Sequence, residues 1–331
     1  MKAYLIRRLL LIFPAMLGIS IITFVAIQLM PGNPVLLRLQ KMQGTMSSSA
    51  VPNEIIEQTK KLYGLDKPIP VQYALWVKRL CMLDFGNSYK DRRPVIDKIK
   101  DAMPVTLQLN IISLFIVYLV SIPIGVFSAT RQRSAADTAT TFGLFTLYSL
   151  PNFWVAVLLI FFFCGGTFVN WFPAYGLNSL GADKFTTWQW LVDRAWHLVL
   201  PVICYTYADL AGLSRFARSA VIDNLRQDYV RTARAYGFSE RVVIFRYTLR
   251  NSLIPIITLL GTLLPSLIAG SVIIESVFSL PGMGRLFFES ILARDYPTVM
   301  GLLTITSMLT LLGLLISDIL YAVADPRIKF E

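Results

Sequence analysis

Six long apolar runs, each near or above 20 residues, divide the chain. They occupy residues 9–30, 104–130, 138–164, 196–214, 251–276 and 299–323. Roughly 20 helical residues cross the ~30 Å hydrocarbon layer of a bilayer, where a helix satisfies its own backbone polar groups. The pattern therefore predicts an all-α, polytopic membrane protein with six transmembrane helices.

The first run resembles a secretory signal because it follows Lys2, Arg7 and Arg8. It is longer than the usual apolar core of a signal, however, and no small-x-small cleavage site closes it. The turn Pro31-Gly32-Asn33-Pro34 follows instead. Residues 1–30 are therefore predicted to stay in the protein as its first transmembrane helix.

The polar segments define the predicted domains. Residues 31–103 are too long for a simple connection, and helical spacing within them predicts helices near 55–63 and 69–83. We interpret 31–103 as an extracytoplasmic helical loop domain and 104–331 as a five-helix core. The twelve Lys and Arg of 31–103 do not oppose an outer location, because segments above ~60 residues are translocated largely regardless of charge.

Proline and aromatic residues predict two departures from simple spanning helices. Pro151 lies in the third run and Pro123 near the end of the second, and each removes one backbone hydrogen bond, so kinks are expected there. The loop 165–195 is rich in Trp and Tyr, which favour the membrane–water interface. A short helix is therefore expected to lie flat on the outer surface around 185–195.

Positive charge sets the predicted orientation. Only 15% of the residues are charged, below the ~25% typical of soluble domains, and the formal net charge is +11. Basic residues lie at the N-terminus, in the loop 131–133, in the loop 214–252 and in the C-terminal tail; Lys and Arg near short loops mark the cytoplasmic side. Both termini are therefore predicted to be cytoplasmic. Topology and anionic membrane lipid account for the charge, so no nucleic-acid partner is predicted.

The sequence contains no motif for nucleotide hydrolysis, zinc-dependent hydrolysis or a serine nucleophile. It has no Gly-x-x-x-x-Gly-Lys-Ser/Thr, no His-Glu-x-x-His and no Gly-x-Ser-x-Gly, and His197 is its single histidine. No catalytic residue and no metal ligand is therefore predicted. Cys81 and Cys164 are both expected on the outer side, so a disulfide between them stays an alternative to the free thiols that we favour.

Acidic residues in the apolar runs are candidates for a translocation pathway, because a carboxylate facing lipid is costly. Asp209 lies in the fourth run, shortly after Tyr205, and Glu275 lies at the outer end of the fifth. We take Asp209, Tyr205 and Glu275 as candidate pathway residues. A stand-alone proton-coupled carrier is an alternative, but so few acids, set near different ends of their helices, make a poor proton relay.

The loop 214–252 is the most distinctive polar segment, with eight Arg against three acids. Apolar and small residues recur in it at steps of three and four, which predicts one helical face. The face comprises Val221, Leu225, Tyr229, Thr232, Ala233 and Tyr236. Gly237 is expected to end this helix, Ser239 to cap the next and Glu240 to begin it. These residues suit either an amphipathic pair on anionic lipid or a docking element for a cytoplasmic motor.

Two motifs in this loop favour docking. Arg231-Thr232-Ala233-Arg234-Ala235-Tyr236-Gly237 and Arg250-Asn251-Ser252-Leu253-Ile254-Pro255, twelve residues apart, resemble the coupling-loop motif of permease subunits in ATP-binding-cassette (ABC) importers. Nearly the whole chain resembles the dipeptide, oligopeptide and nickel branch of that family. The further matching stretches are 31–34, 63–68, 85–88, 275–284, 294–297 and 325–327. The chain departs from the pattern at Asn33, where Asp is more usual, and at Tyr236, where a basic residue is more usual.

The resemblance implies the type I ABC importer permease fold and ATP-driven import across the bacterial cytoplasmic (inner) membrane. It implies three kinds of partner: a second homologous permease subunit, two ATP-binding subunits and an extracytoplasmic solute-binding protein. The chain itself would bind no cofactor and would not be an enzyme, because ATP and Mg would bind to the ATPase subunits. Short peptides are the expected cargo, with nickel or another small solute as the alternative. The implied ATPase-coupling residues are Leu225, Tyr229, Thr232, Ala233, Ala235, Tyr236 and Gly237.

Overall fold

A computed structural model describes residues 2–29, 66–166 and 168–324. These residues are mainly helical and contain no β-strand, only an isolated bridge between Asn87 and Pro94. The helices are α1 Lys2–Gln28, α2 Ile69–Cys81, α3 Val95–Thr130, α4 Ala135–Ser149, α5 Asn152–Phe163, α6 Thr187–Leu225, α7 Asp228–Ala235, α8 Leu249–Leu263, α9 Val272–Val277, α10 Met283–Leu292 and α11 Tyr296–Ala324. The helix predicted near 69–83 is confirmed as α2, whereas the one near 55–63 lies outside the described residues.

Within the described ranges, three helices are long and apolar enough to cross a membrane singly. Their spanning parts are Arg7–Gln28, Val95–Thr130 and Tyr296–Ile319, and they correspond to the first, second and sixth apolar runs. The pair α4 and α5 meets the same criteria when taken together, although the two helices are bent by 95° relative to each other. The all-α class is confirmed, and the total of six spans stays a prediction.

The bend between α4 and α5 follows from Pro151. A residue before proline is pushed out of the helical region, and Leu150 is extended with φ −81° and ψ 130°. Pro151 then precedes the first residue of α5 with ψ 134°. The Leu150 carbonyl, which has left the helical ladder, accepts a hydrogen bond of 2.7 Å from the hydroxyl of Tyr207 on α6. The kink predicted in the third run is therefore a complete break.

The fourth apolar run belongs to one 39-residue helix, α6. A capping box begins it: the Thr186 side chain accepts from the Gln189 N–H, and the Gln189 side chain accepts from the Thr186 N–H. No break separates 187–195 from the run that follows. The prediction of a separate short helix around 185–195 is therefore wrong, because the helix that starts at this cap continues through the whole apolar run.

The fifth apolar run is divided, so the prediction of one helix over 251–276 is also wrong. The helix α8 ends at Leu263, a 3-10 turn covers Leu264–Leu267, and the separate helix α9 begins at Val272. The side chain of Ser271 caps α9 by accepting from the Ile274 N–H at 3.2 Å. This cap stabilises a second helix start inside the run.

The described residues form two compact units. One lies within Met1–Ala102 and Leu286–Leu311, and the other lies within Met103–Arg285 and Leu312–Glu331. This grouping differs from the predicted domains, because 286–311 joins the unit that contains the N-terminal helix. In the first unit α1 packs against α2: the ring of Phe24 lies 5.3 Å from that of Tyr73 and 5.9 Å from that of Trp76.

Asp295 is the polar centre of the first unit and is fully buried. Its carboxylate accepts hydrogen bonds from the hydroxyls of Ser88, at 2.5 Å, and Thr298, at 2.7 Å. Lys98 Nζ lies 3.5 Å from the same carboxylate and 3.0 Å from that of Asp91. Burial raises the pKa of the Asp91 carboxyl, but the hydrogen bonds from Lys98 and Ser88 lower this pKa by more than burial raises it. The pKa of Asp91 therefore lies below its ordinary value. The network ties residues 88–98 to the start of α11.

The second unit is built around α3, α6 and α8. Val117, Leu213, Ala217 and Ile256 form a buried apolar cluster from the three helices. Gly125 allows α3 to approach α6 closely: a Cβ at this position would lie 2.6 Å from Ala217 Cβ and 2.9 Å from backbone atoms of α6. Small residues permit such close contacts between membrane helices.

Candidate functional site

The helix α7, the central element of the predicted coupling segment, ends in a glycine cap. Gly237 has φ +78°, a left-handed conformation that glycine adopts without a Cβ penalty. Its N–H donates to the Arg234 carbonyl at 2.9 Å, and the Phe238 N–H donates to the Ala233 carbonyl at 3.3 Å. These two bonds form a Schellman motif, which satisfies carbonyls at the helix end. The predicted end of the helix at Gly237 is confirmed.

One side of α7 packs into the chain, and the other side is exposed. Val230 and Ala233 are buried, with 0% and 3% exposure, against Val243. Leu225 and Tyr247 are partly buried against this cluster. The remaining predicted coupling residues in this helix and its cap are exposed: Tyr229, Thr232, Ala235, Tyr236 and Gly237. The structure thus divides the predicted contact residues into a supporting set and an accessible set.

The single helical face predicted from Val221 to Tyr236 is wrong. The helix α6 ends at Leu225, and α7 begins only at Asp228. Val221 and Leu225 therefore belong to a different helix from Tyr236. Packing accompanies the break: Val230 and Ala233 of α7 form a small buried core with Val243, and Leu225 at the end of α6 packs against the same core.

The exposed part of α7 carries two ion pairs. Arg234 Nε lies 2.8 Å from the Glu240 carboxylate, and Arg231 lies 3.3 Å from that of Asp228. Exposed pairs of this kind contribute about 0–1 kcal/mol each, so they orient side chains more than they stabilise the fold. Tyr236, which follows α7, is 80% exposed and is the most exposed large apolar side chain of the segment.

The chain after Gly237 returns to the helical bundle. Ser239 occupies the cap position and Glu240 begins a helical turn as predicted, but the Ser239 side chain makes no capping hydrogen bond. A π-helical turn, Val243–Thr248, leads into α8. The hydroxyl of Ser252, from the second coupling motif, lies 3.2 Å from the Ala220 carbonyl of α6. The motif therefore fastens the start of α8 to the helix that precedes the segment.

A cavity of about 390 Å³ in the second unit contains two of the predicted pathway residues, Asp209 and Tyr205. They lie one helical turn apart on α6. Residues of α3 and of the segment 259–267 also line the cavity, as does Tyr148 of α4. The structure therefore brings Asp209 and Tyr205 together at one concave site.

Glu275, the third predicted pathway residue, is placed differently. It is fully buried and does not line the cavity. Its carboxylate accepts from Thr106 Oγ1 at 2.9 Å, from the Arg285 N–H at 2.9 Å and from the Tyr205 hydroxyl at 3.3 Å. Gly282 fits beside it because a Cβ there would lie 2.5 Å from the carboxylate. The Glu275 carboxylate is thus hydrogen-bonded within and next to the 275–284 motif. Its connection to the cavity is its contact with the Tyr205 hydroxyl, since Tyr205 lines the cavity.

Two polar clusters were not predicted from the sequence. Asp137 of α4 and Arg218 of α6 form an ion pair of 2.7 Å, and Ser128 of α3 donates to the same carboxylate. The pair joins three helices close to the coupling segment. The sequence does show that the Asp137 carboxylate lies close to basic residues at the start of a helix. No pattern in the sequence, however, indicates that Arg218 is its partner.

The second cluster surrounds Asp193 in the first turns of α6. Its carboxylate accepts from the Ser179 N–H at 2.9 Å and from the Asn178 side chain at 3.1 Å. Burial raises the pKa of Asp193, but the hydrogen bonds from Ser179 and Asn178 outweigh that effect and hold the pKa below its ordinary value. The cluster fixes the loop before α6. Cys81, Cys164 and Cys204 are free thiols, so the alternative of a Cys81–Cys164 disulfide is not supported.

Comparison with known proteins relates these features to a family. The family described as "Binding-protein-dependent transport system inner membrane component" matches residues 121–330. A second family, described as the N-terminal part of such membrane components, matches residues 1–110. The chain belongs to this permease family. It is a multi-pass inner-membrane permease of an ABC transport system, and the predicted ABC importer permease fold is confirmed.

Relatives of this permease match over its whole length. The oligopeptide transport system permease protein AppB of Bacillus subtilis is 42% identical, with all of both chains covered. The peptidoglycan transport system permease protein YejB of Agrobacterium fabrum is 35% identical, with all of this chain and 99% of the relative covered. The dipeptide transport system permease protein DppB of Alkalihalophilus pseudofirmus is 34% identical, again over all of both chains.

Proposed function

We propose that this permease forms half of the translocation pathway of an ATP-driven importer of short peptides. A second, homologous permease subunit would supply the other half. Two ATP-binding subunits would bind ATP and Mg and hydrolyse the nucleotide, so this chain would bind no cofactor. An extracytoplasmic solute-binding protein would deliver the peptide to surfaces in 31–103 and 277–298. The names of the relatives support a peptide cargo.

The observation that carries the proposal is the form of α7 and its cap. The helix is short, its buried side packs through Val230 and Ala233, and Gly237 caps its end. Tyr236, next to this cap, is exposed. Tyrosine is one of the residues most enriched among the anchors of protein–protein contacts. A cytoplasmic ATPase groove is the partner that we assign to this anchor, with both termini of the chain on the same side.

Reconstitution tests the import function. The permease is placed in proteoliposomes with its partner permease, the ATPase subunits and the binding protein, and uptake of labelled dialanine is followed. Uptake is expected only with ATP and with all subunits present. Accumulation by the permease alone under a proton gradient would instead establish a stand-alone carrier. Binding of nickel but no peptide by the solute-binding protein would assign the metal as cargo.

Substitution at Tyr236 tests the docking role. Because an anchoring tyrosine commonly contributes 2 kcal/mol or more to an interface, Tyr236→Ala is expected to reduce ATP-dependent uptake by about tenfold or more. Tyr175→Ala is the matched control, since Tyr175 is an exposed tyrosine (61%) outside the coupling segment. Equal uptake by the two variants would contradict docking through Tyr236.

Two other substitutions test the support of the anchor. Ala233→Glu places a carboxylate in the buried cluster, and Gly237→Pro is incompatible with φ +78° and removes an N–H donor. Both are expected to uncouple ATP hydrolysis from uptake while the protein still inserts in the membrane. Their effect comes from distortion of the segment, whereas the effect of Tyr236→Ala comes from the lost contact with the partner.

A further inference from the structure

Among the described residues that line the cavity beside α6, one is charged, Asp209. We propose that Asp209 binds the terminal ammonium group of the transported peptide, so that the cavity is a transit site for peptides with a free amino terminus. The inference rests on the proposed function because it takes the solute to be a peptide. It adds the chemical group that the permease itself recognises.

Asp209 is in an unusual environment for a carboxylate. It lies in the fourth apolar run, its side chain is exposed, and no described residue forms a hydrogen bond or ion pair with it. A carboxylate at membrane depth is costly unless it meets water or a cation. The Coulomb attraction between a carboxylate and an ammonium group is also stronger in such a site than in bulk water.

Several other polar groups of the cavity wall already form hydrogen bonds within the chain, which limits the groups that are available to a ligand. The Tyr205 hydroxyl is already used, since it accepts from the Ser271 N–H at 2.9 Å and contacts Glu275. The Asn110 amide donates to the Leu267 carbonyl at 2.7 Å. Ser113 differs: it is 5% exposed, and its hydroxyl has no hydrogen-bond partner in the described chain.

Among the described residues that line the cavity, the Asp209 carboxylate, the Ser113 hydroxyl and the Tyr148 hydroxyl form no hydrogen bond within the chain. A carboxylate accepts hydrogen bonds only, and a hydroxyl both accepts and donates. An ammonium group supplies three donors, and the adjoining peptide unit supplies a carbonyl and an N–H. The wall also contains apolar side chains, among them Leu114, Val117 and Phe216, which suit peptide side chains of varied size.

The size of the cavity limits what it holds. Its volume of about 390 Å³ lies at the lower end of the roughly 300–1,000 Å³ usual for small-molecule sites. We infer that it accommodates the amino-terminal part of a peptide at one time. Recognition of the shared ammonium group, with side chains in an apolar wall, allows transport of many sequences.

A cysteine at Gly212 reports directly on occupancy. Gly212 also lines the cavity, and a Cβ added there meets no atom within 4 Å, so Gly212→Cys fits without displacement. The three native cysteines are replaced by serine, and the assembled transporter in nanodiscs is labelled with a maleimide. Dialanine is expected to slow labelling by about tenfold at a concentration where N-acetyl-dialanine has little effect, because the acetyl group removes the charge.

Variants at Asp209 separate charge from shape. Asp209→Asn is expected to abolish the difference between the two peptides, and Asp209→Glu to retain part of it. Asp183→Asn, an exposed aspartate outside the cavity, is the matched control and should behave like the parent. Unchanged discrimination in Asp209→Asn would overturn the inference. So would loss of the partner permease during purification of this variant, which would show that Asp209 pairs with that subunit.

Uptake by the parent transporter distinguishes failure of the proposed import function from failure of the assignment of Asp209. If the full assembly with ATP imports no peptide, the proposed function fails. If it imports dialanine but both peptides protect Gly212→Cys equally, only the assignment of Asp209 fails. Protection by a lysine-containing N-acetyl peptide, equal to that by dialanine, would assign the site to side-chain cations rather than the terminus and would also overturn it.

Discussion

The close contact between α3 and α6 at Gly125 predicts a severe effect of one added methyl group. In Gly125→Ala the new Cβ would lie 2.6 Å from Ala217 Cβ, 2.9 Å from the Arg218 nitrogen and 2.9 Å from the Ser214 carbonyl oxygen. Ordinary contacts begin at about 3.4 Å. Two of the three atoms belong to the backbone of α6, so a change of rotamer cannot relieve the clash and the helices must separate.

The magnitude follows from a comparison with a second glycine. Overpacking of a well-packed core costs about 1–3 kcal/mol, whereas Gly→Ala in an open helical position stabilises by up to about 1 kcal/mol. Gly143 of α4 is such a position, because a Cβ there meets no atom within 4 Å. Since both variants gain the same helix propensity, Gly125→Ala is expected to be less stable than Gly143→Ala by about 1–3 kcal/mol.

The assay is thermal unfolding of the purified permease in detergent, followed by intrinsic tryptophan fluorescence. The expected gap between the two variants is roughly 1–4 °C in Tm, because an unfolding entropy of about 2.1 cal/mol/K per residue gives about 1.4 °C per kcal/mol for 331 residues. Adding Ala217→Gly to Gly125→Ala should recover only part of the loss, because the backbone contacts remain. Equal Tm values for Gly125→Ala and Gly143→Ala would refute the close approach of α3 and α6.

Two further predictions concern the polar clusters. Arg218→Gln leaves Asp137 buried without its counter-ion and is expected to lower the free energy of unfolding by about 3–5 kcal/mol. Adding Asp137→Asn to this variant should restore part of the lost stability. Strictly additive effects in a double-mutant cycle of thermal unfolding would contradict the ion pair. Asp193→Asn removes a charged acceptor from the Ser179 N–H, so the exchange of this amide should accelerate by about tenfold at pH 7. The pKa of Asp193 is lowered in the folded protein from its ordinary value of 3.8. The stabilisation from its carboxylate is therefore complete above pH 3.8 and is lost as the pH falls through the lower pKa of the folded state. Loss of protection of the Ser179 N–H already near pH 5 would contradict this role of Asp193.

The sequence predicts well those elements that depend on local pattern. Four of the apolar runs lie in single helices, and three of these helices are long and apolar enough to cross a membrane, because length and hydropathy decide whether a segment suits a bilayer. The cap at Gly237 is predictable for the same reason, since a left-handed backbone at a helix end favours glycine. The break at Pro151 is predictable in position, but neither its angle of 95° nor the hydrogen bond that the Leu150 carbonyl accepts from Tyr207 of another helix follows from a local pattern.

The sequence does not reveal features that depend on distant residues. Asp137 and Arg218 are 81 positions apart, and Ser88 and Asp295 are 207 apart. No periodicity links such pairs, although the stretches 85–88 and 294–297 each resembled the family separately. The break between α6 and α7 is of the same kind, because neither Arg226 nor Gln227 is a residue that ends helices by itself.

The helix α6 connects the two parts of the candidate site. Asp209 and Leu225 lie on this single helix about 24 Å apart, at 1.5 Å per residue, and Ala217 lies eight residues from each. Ala217 is also where α6 meets Gly125 of α3. Besides Ala217, residues 198–204 and 221–222 of α6 are also packed in buried clusters. A shift of α6 relative to α3 at Gly125 therefore disturbs the stretch of helix that joins the cavity to the coupling segment, so the stability measured for Gly125→Ala and the transport rate should fall together.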